Sequence, residues 1–218
     1  MKKNNILIYG AGGFGREVAW LAQSVVFCGQ GFDVVSFIDD DDRICETTIN
    51  DIEVLSLVRA RGKYSGACVV SGIGVPAIRE ATMKKASAAG FCFATLVHPD
   101  AAMSKWIEIG EGTVICAGNI LTTNIKLGKH VQINLDCTIG HDVIMEDYAT
   151  LAPGVHVSGC VHLGKRVYVG TGAVIVNGIQ SRPIEIGDDA VIGAGACVTQ
   201  SVPSGETWVG VPARPVRK

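Results

Sequence analysis

From Ile109 onward the chain repeats in sixes. An aliphatic side chain stands at Ile109, Ile115, Leu121, Leu127, Ile133, Ile139, Met145, Leu151, Val157, Leu163, Val169 and Ile175, twelve first positions in a row. In a chain that is 48% hydrophobic, chance produces such a run on the order of once in ten thousand. Fifth positions are small or β-branched, as at Thr113, Val131, Cys137, Val143, Ala149, Val155 and Val161, and second positions are often glycine, as at Gly110, Gly128, Gly140, Gly164 and Gly170. Residues 181–185 interrupt the count, which resumes at Ile186, Ile192 and Val198. Six residues are too few for a helical repeat and suit one short strand plus a corner. Stacked, such units bury their aliphatic faces against one another, which predicts a β-solenoid.

Ahead of residue 97 the pattern is different. NILIYG, GREVAWLAQSV, DVVSFID, ACVVSGI, PAIREATMKKASAAG and FCFATLV read as strand, helix, strand, strand, helix, strand. This alternation predicts a small parallel α/β sheet. The first strand runs into Gly10-Ala11-Gly12-Gly13-Phe14-Gly15, a G-x-G-x-x-G turn opening a helix, and Asp39 and Asp40 close the second strand. Glycines there let a phosphate approach the helix N-terminus, and the carboxylates are placed to accept from ribose or base. Four strands supply little more than half of a dinucleotide fold, so a mononucleotide fits better than NAD. The other reading of the motif is a tight turn alone.

Composition excludes several classes. The 19 basic and 21 acidic residues form no long basic run, so neither nucleic acid nor an anionic membrane is an expected partner. No stretch approaches 18 apolar residues, and the start MKKNNILIYG meets a glycine-rich turn where a signal peptide needs its apolar core. The expected location is the cytoplasm. Eight cysteines lie at least 17 residues apart, with no C-x-x-C pair. They read as reduced, buried small hydrophobes, and no metal is expected.

In 139-IGHDVI-144, His141 and Asp142 fall third and fourth in a hexad, at a corner facing away from the aliphatic core. Such a pair can perform general-base chemistry or merely decorate a corner. The hexads resemble those of hexapeptide acyltransferases. With G-A-G-G-F-G, FIDD, S-G-I-G before I-R-E, H-P-D and the ending V-G-V-P-A-R, the whole chain is similar to the bacterial nucleotide-sugar N-acetyltransferase and sialic-acid O-acetyltransferase family. Phe14 departs from that pattern, whose members often carry histidine there.

The resemblance implies a Rossmann-like nucleotide-sugar-binding domain over 1–97 and a left-handed parallel β-helix over 98–218, with three hexads per coil. It implies N-acetylation by acetyl-CoA of a UDP-, GDP- or dTDP-linked amino sugar, or alternatively O-acetylation of sialic acid. His141 becomes the base and Asp142 its orienter. Gly159, stacked one coil beyond His141, offers its N–H to the thioester oxygen, and Asn134 orients the acceptor. Gly10, Gly12, Gly13, Phe14, Gly15, Asp39 and Asp40 hold the nucleotide. Thr171 and Ala194, successive corners once the interruption is skipped, line the acetyl-CoA site with Arg182, near the basic tail Arg214, Arg217 and Lys218. A homotrimer with sites between subunits follows as well. The remaining histidines, His130, His156 and His162, read as surface corners, and His98 as a strand end.

Overall fold

The computed structural model describes residues 4–24, 26–27 and 30–216. Cys28, one of the eight cysteines, and Arg217 and Lys218 of the basic tail lie outside them. The chain divides into two compact units, Met1–Pro99 and Asp100–Lys218.

In the first unit, β1 (Asn4–Tyr9) leads into α1 (Gly13–Ser24), then β2 (Gln30–Ile38), β3 (Ile52–Leu55), α2 (Leu57–Lys63), β4 (Cys68–Ser71), α3 (Pro76–Ala88) and β5 (Cys92–Phe93). The strands pair in parallel in the order β3-β2-β1-β4-β5, with Thr48–Ile49 antiparallel at the β3 edge. Ile6, Leu7 and Ile8 of central β1 are fully buried, as a strand covered on both faces must be. The sequence expectation of four strands omits β3 and α2. A four-residue strand containing Glu53 and a seven-residue helix reading LVRARGK are too short to show a period. Ser56 caps that helix, its side chain accepting from the Arg59 N–H.

The register of β4 on β5 sets Cys68 opposite Cys92, with Cα atoms 4.8 Å apart, and the two are disulfide-bonded. The expectation of uniformly reduced cysteines fails here, because strand register rather than sequence spacing brought them together. Cys116, Cys137 and Cys160 are buried and outside any disulfide, whereas Cys45 and Cys197 are partly exposed. Burial pushes the Cys137 thiol up to about 11.

The second unit is a triangular solenoid of very short parallel strands. Val114–Ile115 pairs with Gln132–Ile133, Ile120–Leu121 with Thr138–Ile139, and Lys126–Leu127 with Ile144–Met145, so residues 18 apart stack on three faces. First positions from Ile115 to Ile175 are all buried, while Ile109 is only half-buried at the start of the stack. Fifth positions fill the remaining interior: Thr113, Val131, Cys137, Val143, Ala149 and Val155 have no exposed surface. Second-position glycines follow from the coil spacing. A Cβ on Gly140 would lie 2.6 Å from the Gly159 nitrogen, and one on Gly128 2.7 Å from the Asp147 nitrogen. Fourth positions turn each corner in the left-handed region, including Asn124 (54°), Asp142 (58°), Cys160 (54°) and Asp189 (59°).

The interruption lies two residues earlier than the hexad count placed it. Val161 pairs with Ile184 and Leu163 with Ile186, so Ile184 and Glu185 belong to the ladder. The five extra residues are 179–183, closed by Ile179 N–H donating to Arg182 O (3.1 Å) and Arg182 N–H to Ile179 O (2.8 Å). Counting first positions alone could not see that the ladder resumes at a fifth position. Two readings of the histidines also change. His130 is buried and stacks on Tyr148 at 5.0 Å between ring centroids, rather than standing at the surface. His156 and His162 sit on strands, not corners, and contact Thr138 Oγ1 (2.8 Å) and Glu146 Oε1 (3.2 Å). His98 follows the strand Leu96–Val97 and is buried beside Trp20.

Candidate active site

His141 and Asp142 occupy the corner after strand Thr138–Ile139, with side chains 61% and 42% exposed. The His141 Nδ1 lies 2.8 Å from Asp142 Oδ2. The Asp142 carboxyl is held below its usual range first by that bond and then by the Asn124 amide, which donates to Oδ1 at 3.3 Å. With Nδ1 facing a carboxylate, which can only accept, the neutral imidazole carries its proton on Nδ1 and leaves the Nε2 lone pair open. Nε2 points at Gly159 on the next coil: a Cβ there would lie 2.5 Å from Nε2 and 2.6 Å from Cε1. Glycine at 159 is thus what lets the imidazole keep this orientation. Among the described residues the Gly159 N–H makes no backbone hydrogen bond, while its carbonyl accepts from the Gly178 N–H at 3.0 Å. A proton acceptor and a free N–H donor stand side by side, which is what addition to a carbonyl carbon needs.

Cys160 sits directly over Asp142, and its Sγ, a ring nitrogen of His141 and a carboxylate oxygen of Asp142 all lie within 4.8 Å of one another. These three are the group in the described residues able to hold a metal ion. Sequence reasoning missed Cys160, although the spacing that stacks Gly159 on His141 equally stacks Cys160 on Asp142. The 179–183 excursion leaves this same corner further along. Gln180 and Pro183 wall a cavity of about 250 Å³ with Asp142, Cys160 and His162, and Arg182 lines a second, of about 300 Å³, with Thr199, Gln200 and Ser201.

Asn134, Thr171 and Ala194 are not brought to this corner. They follow strands Gln132–Ile133, Tyr168–Val169 and Val191–Ile192, which form a different face. The Asn134 Oδ1 accepts from the Leu135 N–H at 2.8 Å, so within one chain it shapes its own turn.

In the sheet unit, a cavity of about 310 Å³ opens at the carboxyl ends of β1 and β4, where the strand order reverses. That is the place at which open α/β sheets bind ligands. Its walls include Tyr9, Gly10, Gly12, Asp39, Asp40, Gly72, Ile73, Ile78 and Thr82. Gly10 (φ 104°) and Gly15 serve close packing. A Cβ on Gly15 would strike the Gly10 carbonyl, and one on Gly72 would lie 2.5 Å from the Gly15 Cα. Gly12 alone among these faces open space. Gly13 starts α1, whose first N–H groups are free of intrahelical partners, and Phe14 beside it is half-buried. Asp39 is committed to the loop, accepting from the Ala11 N–H (2.9 Å) and the Asp41 N–H (3.0 Å).

Asp40 accepts from Tyr9 Oη (2.6 Å) and Lys85 Nζ (2.6 Å). Partial burial raises its carboxyl, but these two donors outweigh that and hold it below the usual range. Burial and then Asp40 push the Tyr9 hydroxyl upward, so it remains a donor. The S-G-I-G stretch around Gly72 supplies the loop facing these groups, a role its sequence does not announce. Buried Arg79 fixes that loop by donating to Ile73 O (3.0 Å) and Gly74 O (3.1 Å).

Residues 5–86 match the family described as the PglD N-terminal domain. GDP-perosamine N-acetyltransferase of Escherichia coli O157:H7 is 33% identical over 97% of this chain and 96% of its own length. WeeI from Acinetobacter baumannii AYE superposes with a TM-score of 0.89 at 36% identity, covering 98% of this chain and all of that one. A histidine-to-asparagine mutant of perosamine N-acetyltransferase from Caulobacter crescentus, in complex with CoA and GDP-perosamine, superposes with a TM-score of 0.86 at 25% identity, over 99% and 98% of the two chains. The solenoid is thus a left-handed parallel β-helix following a Rossmann-like sheet.

Proposed function

The chain belongs to the hexapeptide-repeat acyltransferases, and from that membership we propose that it transfers the acetyl group of acetyl-CoA to the amine of a nucleotide-linked amino sugar. The GDP-perosamine N-acetyltransferase relative, and the solved relative with CoA and GDP-perosamine bound, support both the donor and the acceptor class. The observation that carries the mechanism is the gap left by Gly159 beside His141 Nε2.

The neutral amine attacks the thioester carbonyl carbon, forming the C–N bond and placing charge on nitrogen and oxygen. His141 Nε2 takes the proton from nitrogen, with Asp142 holding the imidazole through Nδ1. The Gly159 N–H stabilises the oxyanion. Collapse breaks the C–S bond and releases CoA, whose sulfur takes up the proton from His141. The sheet unit binds the nucleotide at the Gly12 loop and Asp40, while Asp39 shapes that loop. Arg182, on the same corner as His141, is available to the CoA phosphates.

His141→Asn removes the proton acceptor while keeping much of the shape. Its kcat should fall by about 10² to 10⁴ with acetyl-CoA binding retained. Near-wild-type turnover of GDP- and UDP-linked amino sugars would refute the base assignment, and turnover of sialic acid but of no amine would favour the O-acetyl alternative.

Asn134, Thr171 and Ala194 lie on a corner remote from His141 in the coil, so their roles require a neighbouring copy. We accordingly place the sites between subunits of a homotrimer. Light scattering should give three chains per particle; a fully active monomer would exclude this. Among the described residues no helix is long and apolar enough to cross a membrane, and we place the reaction in the cytoplasm, where acetyl-CoA is made.

A further inference from the structure

We propose that the His141 corner is also a binding site for a divalent cation of borderline-to-soft character, zinc foremost, which inhibits acetyl transfer by taking the imidazole out of use. The ligands are a ring nitrogen of His141, a carboxylate oxygen of Asp142 and the Sγ of Cys160, mutually within 4.8 Å. Bonds of about 2.0 to 2.3 Å in a tetrahedral zinc site set neighbouring donors roughly 3.3 to 3.8 Å apart. The widest pair in the cluster must therefore contract by about 1.5 Å at most.

The parts that must move are free to move. His141 and Asp142 are exposed, whereas Cys160 is 8% exposed and tied to the coil by its N–H donating to His141 O at 2.9 Å. The fixed thiol is the anchor and the two surface side chains close on it.

The coil geometry explains why the three donors converge. Asp142 and Cys160 are fourth positions of successive turns, both left-handed at φ 58° and 54°, so their side chains leave the corner in the same direction, one above the other. A nitrogen, an oxygen and a sulfur donor together suit zinc and its neighbours rather than magnesium or calcium, which take oxygen alone. The cavity of about 250 Å³ bordered by Asp142, Cys160, His162 and Gln180 gives access and leaves the fourth coordination position to water. On ligation the Cys160 thiol gives its proton to solvent and binds as thiolate.

The inhibitory part rests on His141 being the base; the binding part does not. Cobalt(II) added to the full chain should bind one ion per chain with a thiolate-to-cobalt charge-transfer band, and Cys160→Ser should abolish that band. Zinc affinity, measured by competition with a chromophoric chelator, should fall about 100-fold or more in Cys160→Ser and at least about 10-fold in His141→Asn. A band of full intensity in Cys160→Ser, or unchanged zinc affinity in either variant, would overturn the site. In the wild-type protein zinc should abolish acetyl transfer and a chelator restore it. Transfer undiminished at saturating zinc, with the cobalt band present, would leave the metal site standing and refute both the inhibition and the role of His141 as base.

Discussion

Glycine does opposite work at Gly15 in the sheet unit and at Gly159 in the β-helix. In the sheet unit, glycine lets backbone meet backbone: Gly15 of the G-x-G-x-x-G turn lies against the Gly10 carbonyl, and Gly72 of the facing loop against the Gly15 Cα. Among the glycines of the turn, Gly12 alone has nothing within 4 Å of an added Cβ. In the β-helix, Gly159 makes room for one side-chain nitrogen, His141 Nε2, and leaves its own N–H free. A motif glycine can thus be a packing requirement or a reaction requirement, and the two are separated by what a Cβ would strike. When it strikes backbone, the fold suffers. When it strikes the tip of an exposed side chain, the chemistry does.

Paired alanine substitutions turn this contrast into a measurement. Gly159→Ala should leave the melting temperature nearly unchanged, because exposed His141 can swing aside, yet lower kcat by about 10² to 10³ as the base is displaced from the donor N–H. Gly15→Ala has no such escape, and should lose roughly 3 kcal/mol of stability through overpacking against a carbonyl. Unfolding by urea and steady-state kinetics on the same preparations decide it. If Gly159→Ala destabilised the chain as much as Gly15→Ala while the remaining folded fraction turned over normally, the distinction would be wrong.

The two units also differ in how much their sequences disclose. Every hexad in the β-helix repeats the same question, so Ile133, Ile139 and Val169 can each be placed inside without knowing the others, and the corner position of His141 follows by counting. The same counting reaches Cys160 from Asp142, but a cysteine reads first as a small core hydrophobe, and that reading hides a thiol standing at a corner. Where the period breaks, at 179–183, the count misplaces the loop, because only the backbone ladder shows that Ile184 rejoins Val161. In the sheet unit no repeat is available. Strand β3 and helix α2 are too short to read, and the Cys68–Cys92 pair depends on a register that a single sequence does not state. Asp39 and Asp40 look alike in FIDD, yet the first is spent on loop amides and the second faces Tyr9 and Lys85. Their difference is one of direction, which alternates along an extended chain and becomes ambiguous where the strand ends.

The smallest expected effect isolates the second support of the catalytic carboxylate. Asp142 is bonded by His141 and by Asn124 one coil below, and both favour its ionised form. A carboxyl depressed in the folded state contributes stability above its unfolded pKa, and that contribution is lost as pH falls through the folded value. Asn124→Ala removes the lesser donor, so the Asp142 titration midpoint, followed by carboxyl-carbon NMR, should move upward toward the ordinary carboxylate range without reaching it, since the His141 bond persists. At neutral pH Asp142 is ionised in both proteins, so kcat there should stay within about twofold. The difference should appear on the acid side, where the variant protonates Asp142 first as pH is lowered. A midpoint that stayed put would show that the bond across 18 residues of chain is without electrostatic consequence, and that the imidazole alone holds the carboxylate in its charged form.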